Sequence, residues 1–196
     1  MVDFQTSETK TNLMRAFAGE SQARNRYTFA AGKARTDKLY FVEYVFNFTA
    51  GQEKEHAEIF YNHLLSCAGK NIEIDAAYPI DMSETTASLL RSAHDHEYEE
   101  YQDIYKSFGD KAKAEGYLAV AESFYKIAEI EKTHGDRFAA LAELVESGRM
   151  FVSDVECGWF CLNCGHVENG KAAPEACPVC HHDKGYFIRA KMLFNI

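Results

Sequence analysis

AGQEKEHAEIF, residues 50–60, and AEIEKTHGDRF, residues 128–138, each set a glutamate and a histidine three positions apart inside an apolar run. The pairs are Glu53–His56 and Glu131–His134, and each follows a lone glutamate. Glu20 lies 33 residues before Glu53, and Glu97 lies 34 before Glu131. With 20 Glu and 8 His in 196 residues, chance alone gives about one Glu-x-x-His, so the spacing by itself means little. Placement carries the meaning. On a helix, positions i, i±3, i±4 and i±7 share a face. Glu20 shares its face with Leu13, Phe17 and Tyr27, and Glu53 and His56 share theirs with Phe46, Phe60 and Leu64. Glu97 and Glu100 lie with Leu90, Ile104 and Phe108, and Glu131 and His134 with Phe124, Phe138 and Leu141. Ionisable residues therefore interrupt four core stripes, one per helix. Burying an unpaired carboxylate costs several kcal/mol or forces it to protonate. A four-helix bundle with Glu on two helices and Glu-x-x-His on the other two meets that cost by holding two metal ions.

The rest of the first 147 residues fits such a bundle. Prolines occur at 79, 174 and 178 only, leaving long stretches free of helix breakers. Periodicity predicts helices over about 6–35, 37–67, 83–114 and 117–146. Asp37 and Ser83 are the expected N-caps of the second and third, Gly69 the expected C-cap of the second, and Gly116 and Gly148 close the third and fourth. Residues 68–82 form one long connection between two short-turn hairpins, the ferritin-like rather than the up-down-up-down arrangement.

Donor types select the metal class. Carboxylate and imidazole without thiolate suit iron or manganese and also admit zinc. Carboxylates bridging two ions about 3.5–4 Å apart give the two-metal geometry. Tyr27 and Tyr105 are placed either as donors that orient carboxylates or as ordinary core aromatics. Glu55, Glu58, Glu99 and Glu129 fall off the stripes and are expected at the surface, and His63, His94 and His96 are expected to be ordinary, partly exposed histidines.

Composition changes after residue 147. Residues 148–156 read as a connector or first strand, and 157–196 as a separate module rich in Gly, Cys, His and aromatics. Forty residues rarely fold on an apolar core alone, so a metal is expected to organise them. Cys161-x-x-Cys164 and Cys177-x-x-Cys180 supply four thiolates for tetrahedral coordination, with Gly165 after the first knuckle and Trp159, Phe160, Tyr186 and Phe187 as cover. Spacing alone leaves structural zinc and redox-active iron both open; a neighbouring dinuclear redox site favours iron. Paired Cys-x-x-Cys in place of a disulfide framework fits a reducing compartment. Cys67 and Cys157 receive no role. The net charge of −9 without a basic cluster argues against nucleic acid or an anionic membrane as partner. No run reaches the roughly 18 apolar residues that span a bilayer, and MVDFQTSETK lacks the features of a secretory leader.

With AFAGESQARNRY around Glu20 and WFCLNCGHVENGKAAPEACPVC around the cysteines, the motifs resemble rubrerythrins along essentially the whole chain. The resemblance implies an all-α ferritin-like four-helix bundle with one long crossover, followed by a small rubredoxin-like β module. It implies a cytoplasmic, homodimeric peroxidase that reduces hydrogen peroxide to water in oxidative-stress defence. It implies Glu53 and Glu131 as bridging ligands, Glu20 and Glu97 as terminal ones, and His134 as the constant ligand of one iron. His56 and Glu100 would exchange on the other iron when the redox state changes. A mononuclear iron on the four cysteines would relay electrons from an external reductase or rubredoxin. No nicotinamide-binding glycine motif occurs, so an NAD(P)H-linked donor would act through a partner. The third helix, AHDHEYEEY around Glu97, fits the pattern least well: Glu97, Glu99 and Glu100 compete, and spacing favours the first and last. Two rivals follow from the same residues: a ferroxidase or iron-storage protein, and a zinc-ribbon helical adaptor without redox activity.

Overall fold

The computed structural model describes residues 2–194. The side chain of Ser7 accepts the Lys10 amide hydrogen and starts α1 (Glu8–Thr36). A short turn leads to α2 (Tyr40–His63), antiparallel to it. Asp37 caps the end of α1 and does not begin α2; its carboxylate instead accepts from Lys33 at 2.6 Å and from Thr86 at 2.7 Å, tying the first hairpin to the start of the third helix. Residues 64–85 run as the crossover, with Gly69 at φ +78° just past a closing 3₁₀ turn (Leu65–Cys67).

Thr85, two residues beyond the expected Ser83, caps α3 (Thr86–Glu99) by accepting from the Ser88 amide. The expected uninterrupted third helix is broken by a π turn over Glu100–Ile104, where the Tyr105 N–H reaches back five residues to the Glu100 carbonyl. α4 (Tyr105–Glu115) continues the same rod to Gly116, whose φ of +95° is the left-handed stop that glycine permits. α5 (Leu118–Glu146) returns antiparallel and packs on both α3 and α4.

Two apolar clusters fill the bundle, one above and one below the acidic level. Tyr27, Phe46 and Phe138 belong to the first; Phe60, Tyr105 and Phe124 belong to the second. Each large side chain fully buried there contributes roughly 1.5–3 kcal/mol. No helix among the described residues is long and apolar enough to cross a membrane.

The C-terminal module is a three-stranded antiparallel sheet in the order β2-β1-β3, formed by β1 (Val152–Cys161), β2 (Val167–Ala172) and β3 (Phe187–Arg189), with α6 (Ala190–Phe194) after it. The first strand starts inside residues 148–156, the stretch expected as a connector or first strand. Trp159 and Phe187 are fully buried against Cys161 and Cys177, and the Trp159 indole donates to the Gly170 carbonyl at 3.0 Å. The module docks on the bundle: Ile188 enters the first apolar cluster, and the Tyr40 and Tyr186 rings lie 4.1 Å apart.

Candidate metal centres

α1 presents Glu20, α2 presents Glu53 and His56, α3 presents Glu97, and α5 presents Glu131 and His134. All six side chains are buried: none of the carboxylates exceeds 1% exposure, and His56 reaches only 5%. Their donor atoms form two quartets, each with its atoms within 4.8 Å of one another. One is Glu20, Glu53, His56 and Glu131; the other is Glu53, Glu97, Glu131 and His134. Glu53 and Glu131 belong to both, and each gives one oxygen to each side. His56 Nδ1 lies 3.0 Å from Glu53 Oε2 and 2.9 Å from Glu131 Oε1. His134 Nδ1 lies 3.1 Å from Glu53 Oε1 and 2.8 Å from Glu131 Oε2.

These short separations are not aligned hydrogen bonds. Both oxygens of Glu53 and of Glu131, one oxygen each of Glu20 and Glu97, and Nδ1 of both histidines are buried without a hydrogen-bond partner. Natural proteins satisfy the large majority of such atoms, so a cluster of them calls for an explanation. Stripping a carboxylate of water costs several kcal/mol per ion against a total stability of about 5–15 kcal/mol. Lone pairs converging on two common points are satisfied by two cations. The donors fit iron, with carboxylate and imidazole on each and two carboxylates shared.

Without metal, protons balance the charge. Burial alone would lower both imidazoles, but the Glu131 and Glu53 carboxylates prevail and hold His56 at about 10 and His134 at about 12. Burial acts to raise Glu131, yet its two histidine neighbours bring it down to about 2. Burial, reinforced by neighbouring carboxylates, pushes Glu20 and Glu97 well above the usual carboxylate range.

Tyr27 and Tyr105 are both core aromatics and carboxylate donors. The Tyr27 hydroxyl donates to Glu97 Oε1, and the Tyr105 hydroxyl donates to Glu20 Oε1 at 2.5 Å. Tyr27 sits seven residues after Glu20, and Tyr105 eight after Glu97. The extra residue is the π turn. Glu100 opens that turn, is only half-buried, and belongs to neither quartet. Glu55, Glu58, Glu99 and Glu129 are exposed.

His94 and His96 are each half-buried and bound: His94 Nδ1 to the Gly135 carbonyl at 3.1 Å, His96 Nε2 to Asp81 Oδ1 at 3.1 Å. Asp81 also pairs with Arg26. This Arg26–Asp81–His96 group left no trace in the periodicity, because Asp81 belongs to the irregular crossover. Cys67 is buried, and Gln5 Nε2 approaches its sulfur at 3.6 Å.

The second centre comprises Cys161, Cys164, Cys177 and Cys180, whose sulfurs all lie within 4.8 Å of one another. The two knuckles repeat one hydrogen-bond pattern. Gly165 N–H donates to the Cys161 carbonyl and His181 N–H to the Cys177 carbonyl, each at 2.9 Å. Both residues adopt the left-handed conformation, Gly165 at φ +79° and His181 at +61°. A backbone N–H from His182 draws the Cys180 thiol down to about 5, favouring the thiolate that a metal requires.

A family profile described as Rubrerythrin matches residues 11–142, and one described as Rubrerythrin, rubredoxin-like domain matches residues 159–188. The chain is 43% identical to a rubrerythrin of Porphyromonas gingivalis over 92% of this chain and 89% of that one. It is 41% identical to a rubrerythrin of Nitratidesulfovibrio vulgaris, over 95% and 96% respectively. Among solved structures, fully reduced, all-ferrous nigerythrin superposes with a TM-score of 0.63 at 26% identity, covering 94% of this chain and 90% of that one.

Proposed function

The chain belongs to the rubrerythrin family, whose members join a ferritin-like diiron domain to a rubredoxin-like one, and from that premise we propose that it reduces hydrogen peroxide to water. The reaction is H2O2 + 2 e⁻ + 2 H⁺ → 2 H2O. The observation that carries this reading is the sharing of Glu53 and Glu131 between two buried quartets, each with its own histidine. Glu53 and Glu131 would serve both ions; Glu20 and His56 would complete one ion's set, and Glu97 and His134 the other's. When bound, a diferrous pair supplies two electrons together, avoiding the one-electron cleavage that releases hydroxyl radical.

The chain's own groups prepare the site. The Tyr27 and Tyr105 hydroxyls fix one oxygen each of Glu97 and Glu20, leaving the other oxygen free to ligate. The aromatic clusters on either side exclude water. Glu100, on the half-exposed side, would be the carboxylate available to a ferric ion, and His56 the neutral imidazole available to a ferrous one. The four cysteines would hold a mononuclear iron, which would supply one-electron transfer from an external reductase or rubredoxin, itself supplied from NAD(P)H, in a cytoplasmic homodimer.

Replacing Cys164 with Ser tests the division of labour. A pre-reduced protein should still complete one peroxide turnover and then stall for want of electrons. Sustained turnover at the unsubstituted rate would rule out the relay.

A further inference from the structure

Between α1 and the third rod, the crossover roofs a cavity of about 450 Å³. Gly19 and Arg26 line it from α1, Glu100 and Tyr105 from the third rod, and Tyr78 and Pro79 from the crossover. Its inner wall touches the dinuclear cluster, since Tyr105 is the residue that holds Glu20. The two ends of the cluster along the bundle are closed by aromatics. Tyr27 packs 5.1 Å from Phe138 and 6.0 Å from Phe46, and Tyr105 packs 5.4 Å from Phe60 and 5.8 Å from Phe124, measured between ring centroids. The cavity meets the cluster on the flank lined by Tyr105 and by Glu100, a half-buried ligand candidate.

The roof is pinned on both sides of the cavity. Arg15 Nε donates to the Asp75 carbonyl at 2.9 Å, and the Tyr78 hydroxyl donates back to the Arg15 carbonyl at 2.8 Å. At the other end, Arg26 and His96 both hold Asp81. Gly19 leaves the gap beneath Tyr78: a Cβ there would lie 3.6 Å from the Tyr78 ring and 3.9 Å from Glu100 Oε1.

We propose, on the peroxidase reading above, that hydrogen peroxide enters between Gly19 and Glu100, and that the ring of Tyr78 limits the size of hydroperoxide admitted. Tyr78 is a specificity-determining residue that acts by volume. A larger hydroperoxide reacts by the same balance, ROOH + 2 e⁻ + 2 H⁺ → ROH + H2O, with both electrons from the reduced dinuclear centre. Its exclusion is therefore steric and not chemical.

Two measurements test the route. In the first, the reduced full-length protein is mixed with hydrogen peroxide or cumene hydroperoxide, and the ratio of the two oxidation rates is compared among variants. Tyr78→Ala should raise the ratio in favour of cumene hydroperoxide about tenfold, the discrimination a modest change in pocket volume gives. Tyr78→Phe, which keeps the ring and loses only the hydroxyl, should leave the ratio near its original value. The second measurement needs no turnover. A thiol introduced by Gly19→Cys is treated with iodoacetamide or a fluorescein maleimide, and labelling is read peptide by peptide by mass spectrometry. The small reagent should react whether or not Tyr78 is present, and the bulky one only when Tyr78→Ala is combined. Peroxide turnover with a rate ratio unmoved by Tyr78→Ala, or equal labelling by the bulky reagent in both backgrounds, would overturn the route alone. No reaction of the unsubstituted protein with hydrogen peroxide would overturn the peroxidase reading and the route with it.

Discussion

Among the described residues, Glu53 and Glu131 differ from the other carboxylates in having both oxygens buried without a hydrogen-bond partner, each oxygen facing a different histidine. That arrangement makes each of them indispensable to both metal positions. Glu53→Ala should remove the dinuclear centre, measured as loss of two irons per chain, while the iron–thiolate absorption of the four-cysteine site persists. Retention of all iron would contradict the shared-ligand geometry. The histidines supply a second test. In metal-free protein at neutral pH, His56 at about 10 and His134 at about 12 both carry a proton that the metal must displace. Both values are raised, so the proton competes with metal across the whole neutral range, and binding strengthens as pH rises towards 10. Anaerobic addition of ferrous iron in weak buffer should release at least two protons per site, one per imidazole. Uptake without proton release would show the imidazoles to be neutral beforehand.

The π turn at Glu100–Ile104 explains why the two hairpins are unequal. Counted from the terminal glutamates, the tyrosine comes at seven residues in α1 and at eight in the third rod, yet both hydroxyls reach a carboxylate of the opposite hairpin. One inserted residue keeps that reciprocal pairing and adds Glu100 beside the cluster. Deleting Gln102, exposed within the turn, should restore α-helical spacing and detach Tyr105 from Glu20. Loss of that buried hydrogen bond should destabilise the protein by about 1–3 kcal/mol, read from chemical unfolding, with Glu20 no longer held for metal. Unchanged stability and metal content would dismiss the insertion as incidental. A neighbouring contact is equally exacting. A Cβ on Gly135 would lie 2.6 Å from the Tyr98 ring, so Gly135→Ala should cost about 1–3 kcal/mol through overpacking. The four helices and their acidic stripes were readable from sequence because a 3.6-residue period repeats over long segments. The π turn was not, because one extra residue leaves apolar positions such as Ile104 and Phe108 plausible in either register. Asp37 and Ser83 misled for a related reason: a polar residue before a helix marks a boundary without saying which neighbour it caps.

In the whole molecule, the four-cysteine module is packed into the bundle and not tethered beside it. Ile188 joins the bundle's apolar cluster, the Tyr186 ring packs tilted against Tyr40, and a Cβ on Gly185 would collide with the Lys38 carbonyl. This docking was invisible in the sequence, where residues 148–156 read only as a connector or first strand and nothing marked Ile188 or Tyr186 as facing the bundle. A peroxidase fed through a thiolate-bound iron, as proposed, needs both centres in one assembly; an iron-mineralising protein does not. The direct test is anaerobic stopped-flow of the fully reduced protein against limiting hydrogen peroxide, monitoring the two iron chromophores separately. The account predicts that one peroxide is consumed per dinuclear site, with both of its irons oxidised before the iron–thiolate absorption changes. Oxidation of the dinuclear irons by peroxide no faster than by dioxygen, accompanied by accumulation of many ferric ions per chain, would contradict it.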